Sequence, residues 1–320
     1  MSAPVTHLRT SDGTLTLGGP ERAPLIMGIV NATPDSFSDA GLERSLDSRV
    51  ALARQLLADG AALIDIGGES GVTNRPAVDV VREIERVVPL ITRVVSELGA
   101  RVSIDTYKPA VAAAAVAAGA SIVNDVSGLR DPELADLCAQ TGAALVVMHT
   151  IAEPKRRLHD RSLDGRMADE VRRFMEARIE FAVGRGVAFE QLLLDPGPDF
   201  SKTPAQTIEV LRELSTLVTL GRPVLLAVSR KDFIGAVTGR GPRERLAGTL
   251  AAVAHGVRAG AQMLRLHDVG AAREFLEVLR TLDGSVDVDP GLQVSDALRW
   301  AQADGRARPA QADGRALPAS

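Results

Sequence analysis

The chain holds one cysteine, Cys138, in 320 residues. A lone thiol cannot form an internal disulfide, and no Cys/His ligand spacing suggests zinc. That usage suits a reducing setting, and a cytoplasmic location is expected. Aromatic residues are also scarce, at 3% of the chain, so Val, Leu, Ile and Ala must fill the core. Neither sign of charge is in large excess, with 37 basic and 41 acidic residues. The formal net charge of -4 argues against bulk attraction to nucleic acid or anionic membrane, and neither is expected as a partner. No apolar run reaches membrane-spanning length. The N-terminus has no basic region leading into an apolar stretch, so no signal peptide is expected.

What is present is a set of short apolar runs that end abruptly in polar residues. Leu25-Ile26-Met27-Gly28-Ile29-Val30 has no polar face at any period, as in a parallel strand buried on both sides. It stops in Asn31-Ala32-Thr33-Pro34-Asp35-Ser36-Phe37. Strands of this kind are expected at Leu25–Asn31, Ala62–Ile66, Arg101–Asp105, Ser121–Asn124, Ala143–His149, Gln191–Asp195, Pro223–Ser229 and Ala261–Leu266. Helical patterns follow at Leu46–Asp59, Asp79–Glu97, Lys108–Ala118, Pro132–Thr141, Asp164–Gly184, Pro204–Thr219, Pro242–Ala259 and Ala271–Leu282. Gly-Ala pairs such as Gly60-Ala61, Gly99-Ala100 and Gly142-Ala143 mark the returns, where glycine can supply a left-handed cap. Eight such units in about 260 residues predict an α/β fold, a (β/α)8 TIM barrel. A doubly wound open sheet is the alternative.

The ends differ from this body. His7–Gly18 alternates around Ser11-Asp12-Gly13 and predicts a β-hairpin. The expected organisation is therefore a hairpin segment over residues 1–24, the barrel over 25–283 and a C-terminal extension over 284–320. Ala301–Pro309 and Ala310–Pro318 are near-identical nonapeptides rich in Ala, Gly, Pro and charge, and disorder is expected there. Just before them, Val294, Ala297 and Leu298, with Trp300, have the spacing of a short helix that could dock on the barrel.

In a barrel the strand ends converge on one rim. They supply Asn31 and the Thr33–Phe37 loop, Asp65 to Ser70, Asp105 to Lys108, and Asn124 to Gly128. Met148-His149 follows, then Asp195 running on to Phe200 and Lys202, Ser229-Arg230-Lys231, and Arg265 to Asp268. Each carboxylate, amide or hydroxyl could cap a helix and do nothing else. Cations fit that explanation poorly, because they are disfavoured at helix N-termini. Lys231, Arg265 and His267 on one rim point to an anionic ligand. Asp105, Asn124 and Asp195 offer mostly acceptors, which suits a flat heterocycle with amino and ring N–H groups. Lys231 can donate to a ring carbonyl or nitrogen, Arg265 and His267 can donate to phosphate oxygens, and Asn31 can ligate Mg²⁺.

The motifs NATPDSF, DIGGES, SIDTYK, NDVSG, LDPG, SRKDFIG, RERLAGT and RLHDV occur in that order at barrel spacing. In this combination the chain resembles the dihydropteroate synthases, over roughly Leu25 to Leu282. The resemblance implies a barrel, commonly a homodimer. It also implies condensation of 6-hydroxymethyl-7,8-dihydropterin pyrophosphate with p-aminobenzoate, releasing pyrophosphate, in folate synthesis. By the same resemblance Asp105, Asn124, Asp195 and Lys231 bind the pterin, and Met148 and Phe200 pack on the ring or line the cleft. Asn31, Arg265 and His267 serve the pyrophosphate and Mg²⁺, and Asp35 lies in a loop that closes over the leaving group. The implied mechanism is dissociative, with no covalent enzyme intermediate.

Three departures concern the acceptor side. The usual Glu-Ser-Thr-Arg-Pro-Gly loop is here Glu69-Ser70-Gly71-Val72-Thr73-Asn74-Arg75-Pro76-Ala77, which displaces Thr73 and Arg75, the acceptor-binding candidates. Asp232 stands where a serine often contacts the acceptor carboxylate, and it would repel that group if it pointed inward. Asp199 adds a further negative charge. These changes leave open a noncatalytic pterin-binding paralogue, or a transferase with a different amine acceptor.

Overall fold

The computed structural model describes residues 6–19, 22–33, 46–71, 76–295 and 298–299. Strands β1 (Thr6–Thr10) and β2 (Gly13–Leu17) pair antiparallel, with Thr10 opposite Gly13. The Thr10 hydroxyl closes the turn by bonding Asp12 Oδ1 at 2.6 Å. Then come β3 (Leu25–Asn31), α1 (Leu46–Ala58), β4 (Leu63–Gly67), α2 (Val80–Leu98), β5 (Val102–Asp105) and α3 (Pro109–Ala117). The chain continues through β6 (Ile122–Asp125), α4 (Glu133–Thr141), β7 (Ala144–Met148), α5 (Met167–Gly184), β8 (Leu192–Asp195), α6 (Pro204–Arg212) and α7 (Ser215–Val218). It ends with β9 (Leu225–Leu226), α8 (Asp232–Thr238), α9 (Leu246–Arg258), β10 (Met263–Leu266) and α10 (Val269–Leu282). The 8-stranded parallel sheet runs β8-β7-β6-β5-β4-β3-β10-β9, and a bridge from Leu194 to Val224 joins its two edges. The result is the expected (β/α)8 barrel with its hairpin.

Alternation along these strands decides what faces the barrel axis. Ile26, Ile64, Val123, Leu145, Leu192, Leu226 and Leu264 pack outward against the helices. Met27, Leu63, Ile122, Ala144, Leu193, Leu225 and Met263 form a second cluster with Leu8 and Leu17 of the hairpin. Both faces are apolar, so the runs show no alternation in sequence. The hairpin closes the end of the barrel where the strands begin. Counting on in steps of two from the inner cluster reaches Asn31, Asp65, Asn124, Met148, Asp195 and Arg265. Strand register then aligns Asn31 with Gly67, Gly67 with Asp105, Asp105 with Asn124, and Met148 with Asp195. The polar set therefore occupies the last inward layers of the barrel.

Several elements differ from expectation. The strand expected over Pro223–Ser229 shrinks to Leu225–Leu226, because the chain turns through Arg230 at φ 57°. The helix expected over Pro204–Thr219 divides into α6 and α7, and α5 begins only after a separate 3-10 turn at Arg161–Leu163. Helix α8 was not expected: seven residues are too few to show a helical period. Gly99 and Gly142 are left-handed caps as expected. Val294 and Leu298 are exposed, so they do not dock as part of a final helix, while Ala297 and Trp300 lie outside the described residues. The same is true of Asp35, Thr73, Arg75 and the tandem nonapeptides.

The hairpin's share of the core is testable. Leu8 is fully buried in the inner cluster. Leu8→Ala should lower unfolding free energy by about 2–4 kcal/mol in urea titration, since the barrel residues around it cannot collapse into the cavity. A loss below about 0.5 kcal/mol would show that the hairpin is not part of the packed core.

Candidate active site

The floor of the pocket is built around Arg265. Its Nε donates to Asp65 Oδ2 at 2.6 Å and its Nη2 donates to Asp105 Oδ2 at 2.7 Å. Asn124 Nδ2 lies 3.4 Å from both Asp65 oxygens, and its own Oδ1 is buried without a partner. Asp65 is fully buried. Strands β10, β4, β5 and β6 thus contribute one polar side chain each to a single network. Burial pushes the Asp105 carboxyl up to about 7 against the pull of Arg265, with Asp65 adding repulsion. Sequence reading names Asp65 at its strand end but gives it no role in the site. Its position two residues before Gly67, on the inward parity, was the available signal.

Asp195 stands beside this network on β8, buried, with Oδ1 accepting the Gly197 N–H at 2.8 Å. Burial raises its pKa, while Lys231 and Arg265 favour its charged form. Lys231 Nζ sits 4.3 Å over the Phe200 ring. Burial lowers the Lys231 pKa, and Asp199 and Asp195 oppose that shift. Met148 is buried beside Asp195 in the ladder. His267 shares a 2.9 Å contact between Nδ1 and Ser229 Oγ, and burial beside Arg265 and Arg230 lowers its pKa to about 4. It is therefore neutral at pH 7, with one ring N–H to offer. The structure thus gathers Asp105, Asn124, Asp195, Lys231, Phe200, Arg265 and Met148 at one end of the barrel, with His267 beside them.

The loops that carry these groups are tied down by residues whose roles sequence reading did not assign. Glu69 accepts from Lys108 Nζ at 2.5 Å, from Lys155 Nζ at 2.9 Å and from the Val78 N–H at 3.0 Å. Lys108 also reaches Glu83 at 2.5 Å and the Val78 carbonyl at 2.6 Å. Both stems of the β4–α2 connection are thereby fixed, so the altered segment is framed by an intact ion-pair network. Arg245 Nη1 donates to the Arg230 carbonyl at 3.0 Å, and Thr249 Oγ1 accepts the Arg230 N–H at 3.0 Å. The RERLAGT motif therefore holds the turn that presents Lys231.

The two added carboxylates are both committed elsewhere. The Asp232 side chain is 84% exposed and pairs with Arg245 at 2.8 Å. Asp199 Oδ2 accepts the N–H groups of Asp232 at 2.5 Å and Phe233 at 3.3 Å, and its Oδ1 accepts from Thr207 at 3.1 Å. Asp232 does not point inward. Asp199 cross-links the β8–α6 and β9–α8 connections at the start of α8.

The described residues hold no cluster of three or more His, Cys, Asp or Glu side chains suited to a metal ion. Asn31, half-buried at the end of β3, offers a single amide oxygen. That donor set fits Mg²⁺ only if the remaining ligands are phosphate oxygens and water, as is usual for this ion. No helix among the described residues is long and apolar enough to cross a membrane.

Comparison with known proteins agrees with this geometry. Residues 27–267 match the model of a family described as pterin binding enzyme. Dihydropteroate synthase of Bacillus subtilis is 44% identical over 246 residues, 77% of this chain and 84% of that protein. A Mycobacterium tuberculosis protein named inactive dihydropteroate synthase 2 is 41% identical over 267 residues, 81% of this chain and 83% of its own length. Xanthomonas albilineans dihydropteroate synthase, solved with 4-aminobenzoic acid, superposes with a TM-score of 0.78 at 41% identity, covering 87% of this chain and 99% of that one. The same enzyme with 7,8-dihydropteroate gives a TM-score of 0.75, covering 86% and 98%. With a family match spanning most of the barrel and relatives above 40% identity, the chain belongs to the pterin binding enzyme family, among the dihydropteroate synthases.

Proposed function

We propose that the barrel mouth condenses 6-hydroxymethyl-7,8-dihydropterin pyrophosphate with p-aminobenzoate to give 7,8-dihydropteroate and pyrophosphate. The observation that carries this reading is the array of Asp105, Asn124, Asp195, Lys231 and Arg265, buried or half-buried at the barrel mouth. It presents carboxylate and amide acceptors to ring N–H groups and a lysine donor beside them. Arg265 is neutralised by Asp65 and Asp105. It therefore orients the carboxylates and still has a guanidinium edge for phosphate.

In the reaction the C–O bond to pyrophosphate breaks with its electron pair, and the arylamine nitrogen bonds to the exposed carbon and loses a proton. Arg265 and the His267 N–H stabilise charge that develops on the leaving oxygens. Asn31 would hold Mg²⁺, which when bound would offset that same negative charge. Lys231 on the Phe200 ring holds the pterin's polar edge, while Met148 packs its face. Asp35, Thr73 and Arg75 complete the closing loop and the acceptor side in this reading. A p-aminobenzoate acceptor is compatible with Asp232, which turns outward to Arg245. A homodimer fits Val237, Val278 and Leu282, which are exposed on α8 and α10. A cytoplasmic location fits the single thiol.

A second reading, a pterin-binding paralogue without turnover, is favoured by the altered segment from Gly71 to Ala77 and by the relatives named inactive. One assay separates the two. Incubation with the pterin pyrophosphate should release pyrophosphate, with dihydropteroate formed one for one when p-aminobenzoate is added. Arg265→Ala and His267→Ala should each slow release at least about tenfold, the loss expected for one charge-stabilising donor. Tight pterin binding with no release under any condition would establish the paralogue.

The acid pocket also sets a pH dependence. Below about 7 Asp105 is held protonated by burial, and Asp195 is shifted in the same direction. Ring N–H donors need the carboxylate forms. Pterin affinity should therefore rise as pH increases from 6 to 8, with proton release on binding near the lower end. Calorimetry in buffers of different ionisation enthalpy measures both. Affinity that is flat or highest at pH 6 would show that these acids do not meet the ring.

A further inference from the structure

Lys202 is buried to 2% exposure, deeper than its place in a rim loop suggests. Its Nζ lies 2.7 Å from His149 Nδ1, 2.9 Å from the Gly197 carbonyl, 3.2 Å from the Phe200 carbonyl and 3.4 Å from the His149 carbonyl. Burial lowers the Lys202 pKa to about 7, and in its ammonium form Lys202 donates to His149 Nδ1. Burial and the neighbouring Lys202 both disfavour a charged His149. The acidic groups facing Lys202 are Asp195 and Asp199, and Lys231 is the opposing cation.

The loop that Lys202 gathers is unusual. Gly197, Asp199 and Ser201 all have positive φ, at 62°, 63° and 53°. Only the first is glycine, and a Cβ there would lie 2.2 Å from the His149 carbonyl oxygen. Such a turn persists only where its surroundings over-determine it. Lys202 bonds the carbonyls of Gly197 and Phe200 from inside, and Ser201 Oγ meets Thr150 Oγ1 at 3.0 Å and the Ala152 N–H at 3.2 Å. Phe200 is thereby presented outward, its ring against Lys231 on one side and close enough to Gly71 that an added Cβ there would lie 3.7 Å from Cζ. Phe200 thus stands between the pterin-facing lysine and the start of the altered segment.

We propose that Lys202 is a positioning residue: it holds the β8–α6 turn in the shape that lays Phe200 against Lys231, and so sets the geometry with which the acceptor meets the pterin. The kinetic test rests on the condensation reading. Lys202→Met should lower kcat/KM for p-aminobenzoate at least tenfold in the otherwise unaltered protein. In a Phe200→Ala background the same change should cost less than threefold, because the ring it positions is gone. A general packing role would give the full loss in both backgrounds and overturn the proposal. Amide hydrogen exchange tests it without turnover. The Phe200 amide bonds the Gly197 carbonyl, and the Asp232 and Phe233 amides bond Asp199. All three should exchange at least tenfold faster in Lys202→Met while β4 to β6 stay protected; unchanged exchange would also overturn it. If the protein turns over no substrate, the condensation reading fails and exchange still decides this one. Should Lys202→Met not fold, Lys202→Gln, which keeps two N–H donors, goes through both measurements with smaller changes of the same pattern expected.

Discussion

Two carboxylates on adjacent strands inside a barrel repel each other and lose their water. Arg265 makes that arrangement tenable. Its planar fork bonds Asp65 and Asp105 at 2.6 and 2.7 Å, so two buried acids share one guanidinium. Replacing such a triad with apolar residues of the same volume would often stabilise a protein, so its presence argues for use rather than for stability. Everything else in the pocket is placed relative to it. Asn124 leans on Asp65, Asp195 faces the same cation, and Asn124 Oδ1, a buried acceptor without a partner, belongs to this network.

The rim is built on the opposite plan. There the backbone is irregular, and side chains rather than strand ladders hold it. Glu69 with Lys108, Asp199 with the start of α8, and Arg245 with Thr249 each fix one connection. The family's motifs are therefore of two kinds. Some residues face the pocket, and others secure the loops that carry them. This division explains why the sequence departures look more disruptive than they are. Asp232 is drawn out to pair with Arg245, and Asp199 is held by the N–H groups at the start of α8, with its charge directed to Lys231.

Much of this was legible in the chain alone, for a physical reason. Strands buried on both faces read as unbroken apolar runs, and their polar ends stand out. Hence Asn31, Asp105, Asn124, Asp195, Lys231, Arg265 and His267 could be named from position. Asp65 was visible at its strand end, but its role was not, because its partner Arg265 lies 200 residues away and nothing local marks a carboxylate as paired. Lys202 was visible as a rim residue, but only three-dimensional packing shows that it turns inward. The seven-residue α8 escaped because an element of that length carries no period, and β9 was found but proved shorter than its apolar run. Asp35, Thr73 and Arg75 remain assignments by resemblance.

We propose that the acids at the barrel mouth are a pterin-binding floor. Asp195 tests it most directly, because it faces the pocket without a direct ion pair whose loss would disturb the fold. Titration calorimetry of 6-hydroxymethyl-7,8-dihydropterin pyrophosphate should show affinity falling at least about 30-fold in Asp195→Asn, the cost of exchanging a charged acceptor for an amide that leaves a ring N–H unpaired. The thermal midpoint should stay within a few degrees. Affinity equal to that of the unaltered protein would contradict the account and remove Asp195 from the binding floor.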